Sequence, residues 1–181
     1  YMAAFGGITC LDIAKDGAVQ VSPLAISRHA ADELRANLVL FYTGLRRDSY
    51  DILREQGEGA REGKRNVLDG MHRILEIGFK IKNALLEEDL RRFGSLLHEH
   101  WAAKKQISDL MTNGSIDRWY QRGIESGALG GKLLGAGGGG FLMFYCESEN
   151  RSRLREAMAT EGLKAMPFNF EFSGSKVLVN M

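Results

Sequence analysis

The residues with the clearest capacity for chemistry are a dense run of glycines. Five of the six residues in 135–140 are glycine, and Lys132 precedes the run by three residues. A glycine costs about 0.5–1 kcal/mol of backbone entropy in a regular element, so a cluster this dense needs a physical reason. Glycine lets backbone N–H groups approach a ligand closely, and successive N–H groups can form an anion-binding concavity. We therefore predict that residues 135–140 lie close to a bound phosphate. The alternative is a tight turn between two strands that binds no ligand.

The elements flanking the glycines exclude two common phosphate-binding loops. Residues 132–134 are predicted to form a short strand, and the apolar run 141–146 a buried strand. A Walker A loop ends in Gly-Lys-Ser or Gly-Lys-Thr, which does not follow these glycines. A dinucleotide-binding fingerprint leads from its glycines directly into a helix, whereas here a strand follows.

The elements that must position the glycines begin with a strand-rich block over residues 7–44. Asp16-Gly17 is typical of a hairpin turn, and Val19 and Val21 alternate with polar residues as in a half-buried strand. Residues 27–37 are predicted to form a short helix capped by Ser27. The continuous apolar run 38–42 predicts a further strand.

The rest of the chain combines long helices with more strands. Residues 48–126 are predicted to be helical, and 149–160 to form a charged helix between strands. Alternation predicts a strand over 168–172, followed by a last strand over 176–179. For the longest helix, the spacing predicts one helix face made of Leu68, Met71, Leu75, Gly78, Phe79, Lys82 and Leu86. Strands beside long helices indicate an α+β fold with a small antiparallel sheet and helices on one face.

The segment from Lys132 to Phe141, Lys-Leu-Leu-Gly-Ala-Gly-Gly-Gly-Gly-Phe, resembles the third conserved motif of the GHMP kinases. This superfamily includes galactokinase and the homoserine, mevalonate and phosphomevalonate kinases. Several members carry Ser or Thr where this chain has Leu134, so no hydroxyl contact is expected there. The resemblance implies a GHMP kinase C-terminal domain, with a ferredoxin-like antiparallel sheet and long helices packed on one face. It also implies an active-site loop near the ATP phosphates, made of Gly135, Ala136, Gly137, Gly138, Gly139 and Gly140.

Three other segments resemble the heptose-phosphate kinases of this superfamily: residues 1–8, 40–47 and 97–105. This resemblance implies transfer of the γ-phosphoryl group of ATP to the anomeric hydroxyl of D-glycero-D-manno-heptose 7-phosphate. The product would serve nucleotide-heptose synthesis for cell-surface polysaccharide. Two alternatives stay open: a fucose- or galactose-type GHMP kinase, and a non-catalytic ligand-binding domain on the same scaffold, because a fold does not fix a function.

Five residues are candidates for substrate binding. Thr43, Gly44 and Arg47 follow a predicted buried strand, where loops often carry function, and an arginine can bind a phosphate through two hydrogen bonds. Lys104 could reach an acceptor phosphate or lie along Trp101. Lys132 points either to the site or to water.

The resemblance implies that most of the catalytic machinery lies in an N-terminal half. The family's phosphate loop belongs to that half, and its catalytic aspartate would precede Tyr1 by about two residues. We therefore assign no catalytic residue and no metal ligand here. We expect residues 1–45 to be the tail of the N-terminal kinase domain with crossover strands, and 46–181 to be the C-terminal domain. ATP and Mg²⁺ would bind mainly to the N-terminal half, so we expect this chain alone to be inactive.

Composition narrows the class of partners. The net charge is +1, from 24 basic and 23 acidic residues, which gives no electrostatic case for nucleic acid. No apolar run approaches the roughly 20 residues that span a membrane. Cys10 and Cys146 lack the spacing of a disulfide framework or a zinc site, which favours a reducing, cytoplasmic location. His98 and His100, two apart on a helix, diverge and are expected to pack or face solvent. The expected partners are a sugar phosphate, the N-terminal kinase domain and a second copy of the chain.

Overall fold

The computed structural model describes residues 2–45, 49–135 and 138–176. The described residues include one short 3₁₀ helix, Asp109–Met111. The helices and strands in chain order are α1 (Met2–Phe5), β1 (Thr9–Ile13), β2 (Val19–Pro23), α2 (Arg28–Asn37), β3 (Leu38–Tyr42), α3 (Ser49–Arg61), α4 (Arg65–Leu86), α5 (Leu90–Lys105), α6 (Gly114–Glu125), β4 (Gly130–Leu133), β5 (Phe141–Tyr145), α7 (Arg151–Thr160) and β6 (Lys164–Met166).

An antiparallel sheet with strand order β4-β5-β3-β6 forms the centre of the fold. The α+β class predicted from the sequence is confirmed. Strand alternation sends Phe41, Leu142 and Phe144 into one apolar cluster with α6 and α7, and Leu38 and Tyr145 into another with α4 and α5. Strand β3 therefore lies in the middle of the sheet, buried among helices. The domain division expected at residue 45 stays a prediction.

The N-terminal block follows its local sequence signals. Strands β1 and β2 pair as a separate hairpin, and Asp16 accepts a hydrogen bond from the Ala18 N–H in its turn. The Ser27 side chain caps α2 by accepting from the Ala30 N–H at 3.0 Å. The predicted hairpin, helix cap and strand over 38–42 are all confirmed.

The predicted long helix exists as α4, but the face that the spacing picks out is not the face that the fold buries. The side chains of Leu75 and Phe79 are 59% and 54% exposed. Helix α4 has apolar residues around most of its circumference, so a spacing of three and four fits more than one stripe. Packing against α5 selects the stripe that contains the buried residues Val67, Gly70, Ile77, Ala84 and Leu85.

The C-terminal strands also differ from the prediction. The fourth strand of the sheet is β6, which the sequence did not reveal, and residues 168–172 form no strand. Phe168, Phe170 and Phe172 instead contact one another edge to face, with ring centroids 5.7 and 6.2 Å apart. Alternation gives an extended backbone, but a strand also needs a neighbour to pair with. The strand predicted over 176–179 falls, apart from Lys176, outside the described residues.

Candidate functional site

The glycine run forms the connection between β4 and β5, as the sequence predicted. Gly135 and Gly140 have φ angles of +89° and +96°, a region in which other residues are strained. The Gly138 N–H donates to the Met111 carbonyl at 3.0 Å, and the Gly140 N–H donates to the Leu45 carbonyl at 3.1 Å. These two amides therefore anchor the loop to the protein instead of pointing free toward a ligand. Ala136 and Gly137 lie outside the described residues.

Thr43 anchors the same end of the loop. Its hydroxyl donates to the Gly140 carbonyl at 2.8 Å, and its N–H donates to the same oxygen at 2.9 Å. The side chain is buried, so this hydroxyl positions the loop from behind. The neighbouring Gly44 is exposed with a φ of +69°, and Arg47 lies outside the described residues.

Helix α5 lies along β4 because Gly130 lets the two backbones approach closely. A Cβ on Gly130 would lie 2.2 Å from the Gly94 carbonyl oxygen and 2.6 Å from the His98 nitrogen. Contacts this short are not possible for a real Cβ, so only glycine fits at position 130. Helix α5 begins at a side-chain cap, where Asp89 accepts from the Arg92 N–H at 2.9 Å. The last turns of α5 are thereby placed beside the glycine loop.

Lys104, in the last turn of α5, reaches the loop directly. Its Nζ donates to the Gly135 carbonyl at 2.9 Å. Burial lowers the pKa of Lys104. This contact leaves the other donors of the ammonium group available, because a lysine carries three. The structure therefore places Lys104 at the start of the glycine run, where the sequence left two readings open.

Lys132, on β4, belongs to the same group of cations. Its pKa is lowered to about 8, first by burial and second by the charge of Lys104. Within the described parts of the chain, neither lysine has a carboxylate at salt-bridge distance. Two positive charges without a counter-charge repel each other, and a bound anion would relieve that repulsion.

His100 is the residue that the sequence analysis missed. Burial, followed by the charges of Lys132 and Lys104, lowers the pKa of His100 to about 4. Its Nδ1 is buried without a hydrogen-bond partner among the described residues. A signal was present, because His100 and Lys104 are four residues apart and share a helix face. His98 instead stacks on Tyr120, with its Nδ1 2.9 Å from the Tyr120 hydroxyl oxygen.

His100 also lines a cavity of about 290 Å³ between the β1–β2 hairpin and α4. The exposed α4 residues Leu75 and Phe79 form one wall, and Leu11 stands on the hairpin side. Lys82 and Asp12 line it as well, with Nζ and Oδ2 3.6 Å apart. The cavity combines apolar walls with a few polar groups, which is typical of small-molecule sites.

The described residues contain neither a metal-binding cluster nor a membrane-spanning helix. In residues 2–45, 49–135 and 138–176, no three His, Cys, Asp or Glu side chains are grouped in a way that could hold a metal ion. Among the described helices, none has the length and apolar character needed to cross a membrane.

Comparison with known proteins identifies relatives of the chain. Residues 81–164 match a family model described as GHMP kinases C terminal. The chain is 34% identical over 176 residues to D-glycero-alpha-D-manno-heptose 7-phosphate kinase of Campylobacter jejuni, an alignment that covers 97% of the chain and 51% of that protein. It is 25% identical over 141 residues to a bifunctional fucokinase/GDP-fucose pyrophosphorylase of Arabidopsis thaliana, covering 77% of the chain and 13% of that protein.

A solved structure agrees with these matches. The crystal structure of a D-glycero-D-manno-heptose 1-phosphate kinase from Bacteroides thetaiotaomicron is 26% identical, with a TM-score of 0.68, and covers 99% of the chain and 48% of that protein. The chain thus spans about half the length of the heptose kinases that it matches.

Proposed function

Because the chain carries a GHMP kinase C-terminal domain, we propose that it is the C-terminal half of an ATP-dependent sugar kinase. The proposed acceptor is D-glycero-D-manno-heptose 7-phosphate, phosphorylated at its anomeric hydroxyl for nucleotide-heptose synthesis. The observation that carries this proposal is a pair of lysines beside the glycine loop, Lys104 and Lys132, which have no carboxylate partner among the described residues. Two desolvated cations at one end of an anchored loop suit a reaction in which both reactants carry phosphate.

The contribution of this half is positioning and charge. Phosphoryl transfer demands little covalent chemistry from the protein and depends on placing the reactants and stabilising charge. Thr43 and Leu45 form hydrogen bonds with Gly140, and Met111 forms one with Gly138. Because these bonds already hold the glycine loop, little reorganisation is needed when a substrate binds. The lysines act from a partly desolvated environment, in which charge interactions are stronger than in water.

The remaining machinery is assigned to an N-terminal kinase domain in the longer protein. That domain would supply the catalytic aspartate and the main phosphate loop, and would hold Mg²⁺. ATP provides the phosphoryl group, and the glycine loop 135–140 of this chain would lie near it. The site proposal keeps Thr43, Gly44, Arg47, Lys104 and Lys132 as substrate-binding candidates. The same proposal places the enzyme in the cytoplasm and expects no turnover by this chain alone.

A fucose-type kinase is the second candidate, favoured by the match to a fucokinase. Its acceptor would carry no phosphate, so removal of the charge of Lys104 should barely change the acceptor KM. The heptose-phosphate proposal expects a large change. This difference separates the two functions without any need for a bound structure.

The test is a kinase assay on the full-length protein that contains this chain. The acceptors are heptose 7-phosphate, fucose and galactose, each with MgATP. The proposal expects turnover of the heptose phosphate and a strong loss of acceptor affinity in Lys104→Met. Lys105→Met is the matched control, because Lys105 is the next residue and its exposed ion pair with Asp117 lies outside the site. Turnover of fucose or galactose with no turnover of the heptose phosphate would overturn the proposal.

A further inference from the structure

His100 occupies a position that helix packing alone does not explain. It lies one turn before Lys104 on α5, and α5 packs against β4, which carries Lys132, through the close contact of Gly130 with Gly94 and His98. Its Nδ1 is buried and has no partner among the described residues. A buried imidazole nitrogen normally finds a hydrogen-bond partner, so this atom indicates a site that is completed by a ligand.

We propose that His100, Lys104 and Lys132 form a phosphate-binding subsite, and that this subsite takes the phosphate already carried by the acceptor. The inference rests on the proposed function in assigning the phosphate to an acceptor sugar. Phosphate oxygens would accept hydrogen bonds from the two ammonium groups and from the imidazole. Each of these contacts is charge-assisted, the strongest class of hydrogen bond in proteins.

The cavity beside His100 favours the acceptor over the nucleotide as the source of the phosphate. The imidazole lines the 290 Å³ cavity and is also close enough to Lys132 and Lys104 to be affected by their charges. A phosphate at the subsite would therefore have room next to it for the carbon chain of a small phosphorylated molecule. The exposed apolar side chains of Leu75 and Phe79 offer a wall for the CH faces of a sugar.

The charges around His100 dictate how its protonation responds to a bound anion. Lys104 faces it from α5, Lys132 from β4, Lys82 from α4, and Asp12 and Cys10 from β1. The lysines that act on it lower its pKa, and a phosphate placed among them reverses that effect. Binding at the subsite should therefore raise the pKa of His100 and draw a proton onto the imidazole.

The direct experiment is a ¹H NMR titration of the imidazole C2 proton of His100, with inorganic phosphate as the probe. The chain contains only four histidines, so the spectrum of His100→Gln assigns the signal. Without phosphate, His100 should titrate near pH 4. Phosphate should move that titration upward, and sodium chloride at equal ionic strength should not. An adequate phosphate concentration that leaves the titration of His100 unmoved would overturn the subsite.

Kinetics of the full-length kinase identify the source of the phosphate. Lys132→Met should raise the acceptor KM by about tenfold or more, as expected for the loss of a charge-assisted hydrogen bond, with the KM for ATP unchanged. His100→Gln should raise the acceptor KM by a smaller factor of about three to ten. Lys105→Met serves again as the control, and melting curves verify that each variant is folded.

The outcomes separate the subsite from the proposed function. A rise in the KM for ATP alone would assign the phosphate to the nucleotide and overturn the acceptor assignment. Normal heptose-phosphate kinetics in both variants would overturn the subsite while the proposed function stands. An NMR response to phosphate without kinase turnover of the heptose phosphate would support the subsite and overturn the proposed function.

Discussion

Replacing Gly130 with alanine should force α5 away from β4. The new Cβ would lie 2.2 Å from the Gly94 carbonyl oxygen and 2.6 Å from the His98 nitrogen. Both atoms belong to the backbone, so no side-chain rotation can relieve the contact. Overpacking of this kind costs about 1–3 kcal/mol. For a chain of this size, 1 kcal/mol corresponds to about 2–4 °C in Tm, so a cost of about 2 kcal/mol predicts a drop of about 4–8 °C.

The assay is thermal unfolding followed by circular dichroism, with Gly57→Ala as the matched control. Gly57 lies within α3 and has nothing within 4 Å of an added Cβ, so alanine there should stabilise by about 0.5–1 kcal/mol. The same separation should pull Lys104 from the Gly135 carbonyl and raise the acceptor KM of the full-length enzyme. Equal Tm values for Gly130→Ala and the parent would refute the close contact, and with it the reason given for the placement of Lys104.

Three further predictions address charge, the loop and a helix cap. The pKa of Lys132 is lowered to about 8, so its charge is lost as the pH rises through that value. The affinity for the acceptor should therefore fall above pH 8, and an acceptor KM that does not change with pH would contradict this. Thr43→Val removes the hydroxyl that donates to the Gly140 carbonyl and should lower the free energy of unfolding by about 1 kcal/mol. An unchanged midpoint in chemical unfolding would show that the hydroxyl does not hold the loop. Ser27→Ala removes the cap on the Ala30 N–H and should also cost about 1 kcal/mol in chemical unfolding. Ser27→Thr should retain most of the stability, because its hydroxyl can still accept from the Ala30 N–H and donate to the Glu88 carboxylate.

Features encoded by neighbouring residues were predictable from the sequence. The turn at Asp16-Gly17 and the cap at Ser27 depend on side chains that bond to the backbone two or three residues away. The glycine run was likewise recognised as the connection between two strands. Such features need no knowledge of what lies across the fold, which is why local reasoning succeeds.

Features decided by distant partners were not predictable in the same way. The buried face of α4 depends on α5, and β6 becomes a strand because it pairs with β3. The N–H groups of Gly138 and Gly140 donate to the carbonyls of Met111 and Leu45. No local sequence pattern predicts these hydrogen bonds, because the acceptors are distant in the chain.

In the candidate site, too, the sequence predicts individual residues, whereas their arrangement depends on distant parts of the fold. Lys104 and Lys132 were named as candidates from the sequence, but their closeness follows from the packing of α5 on β4 at Gly130. The spacing of two between His98 and His100 predicts only packing or solvent-facing roles for both histidines. The relation that matters is with Lys104, four residues later on the same face of the helix.

We expect Lys104 and Lys132 to serve a kinase whose acceptor carries a phosphate. The most direct test gives the full-length protein MgATP and heptose 7-phosphate and follows the product by ³¹P NMR, with the parent, Lys104→Met and Lys105→Met compared side by side. We expect a new anomeric phosphate signal in the parent and in Lys105→Met, and a strongly reduced rate in Lys104→Met at low acceptor concentration. Equal rates in all three proteins, or no anomeric phosphate in the parent, would contradict it.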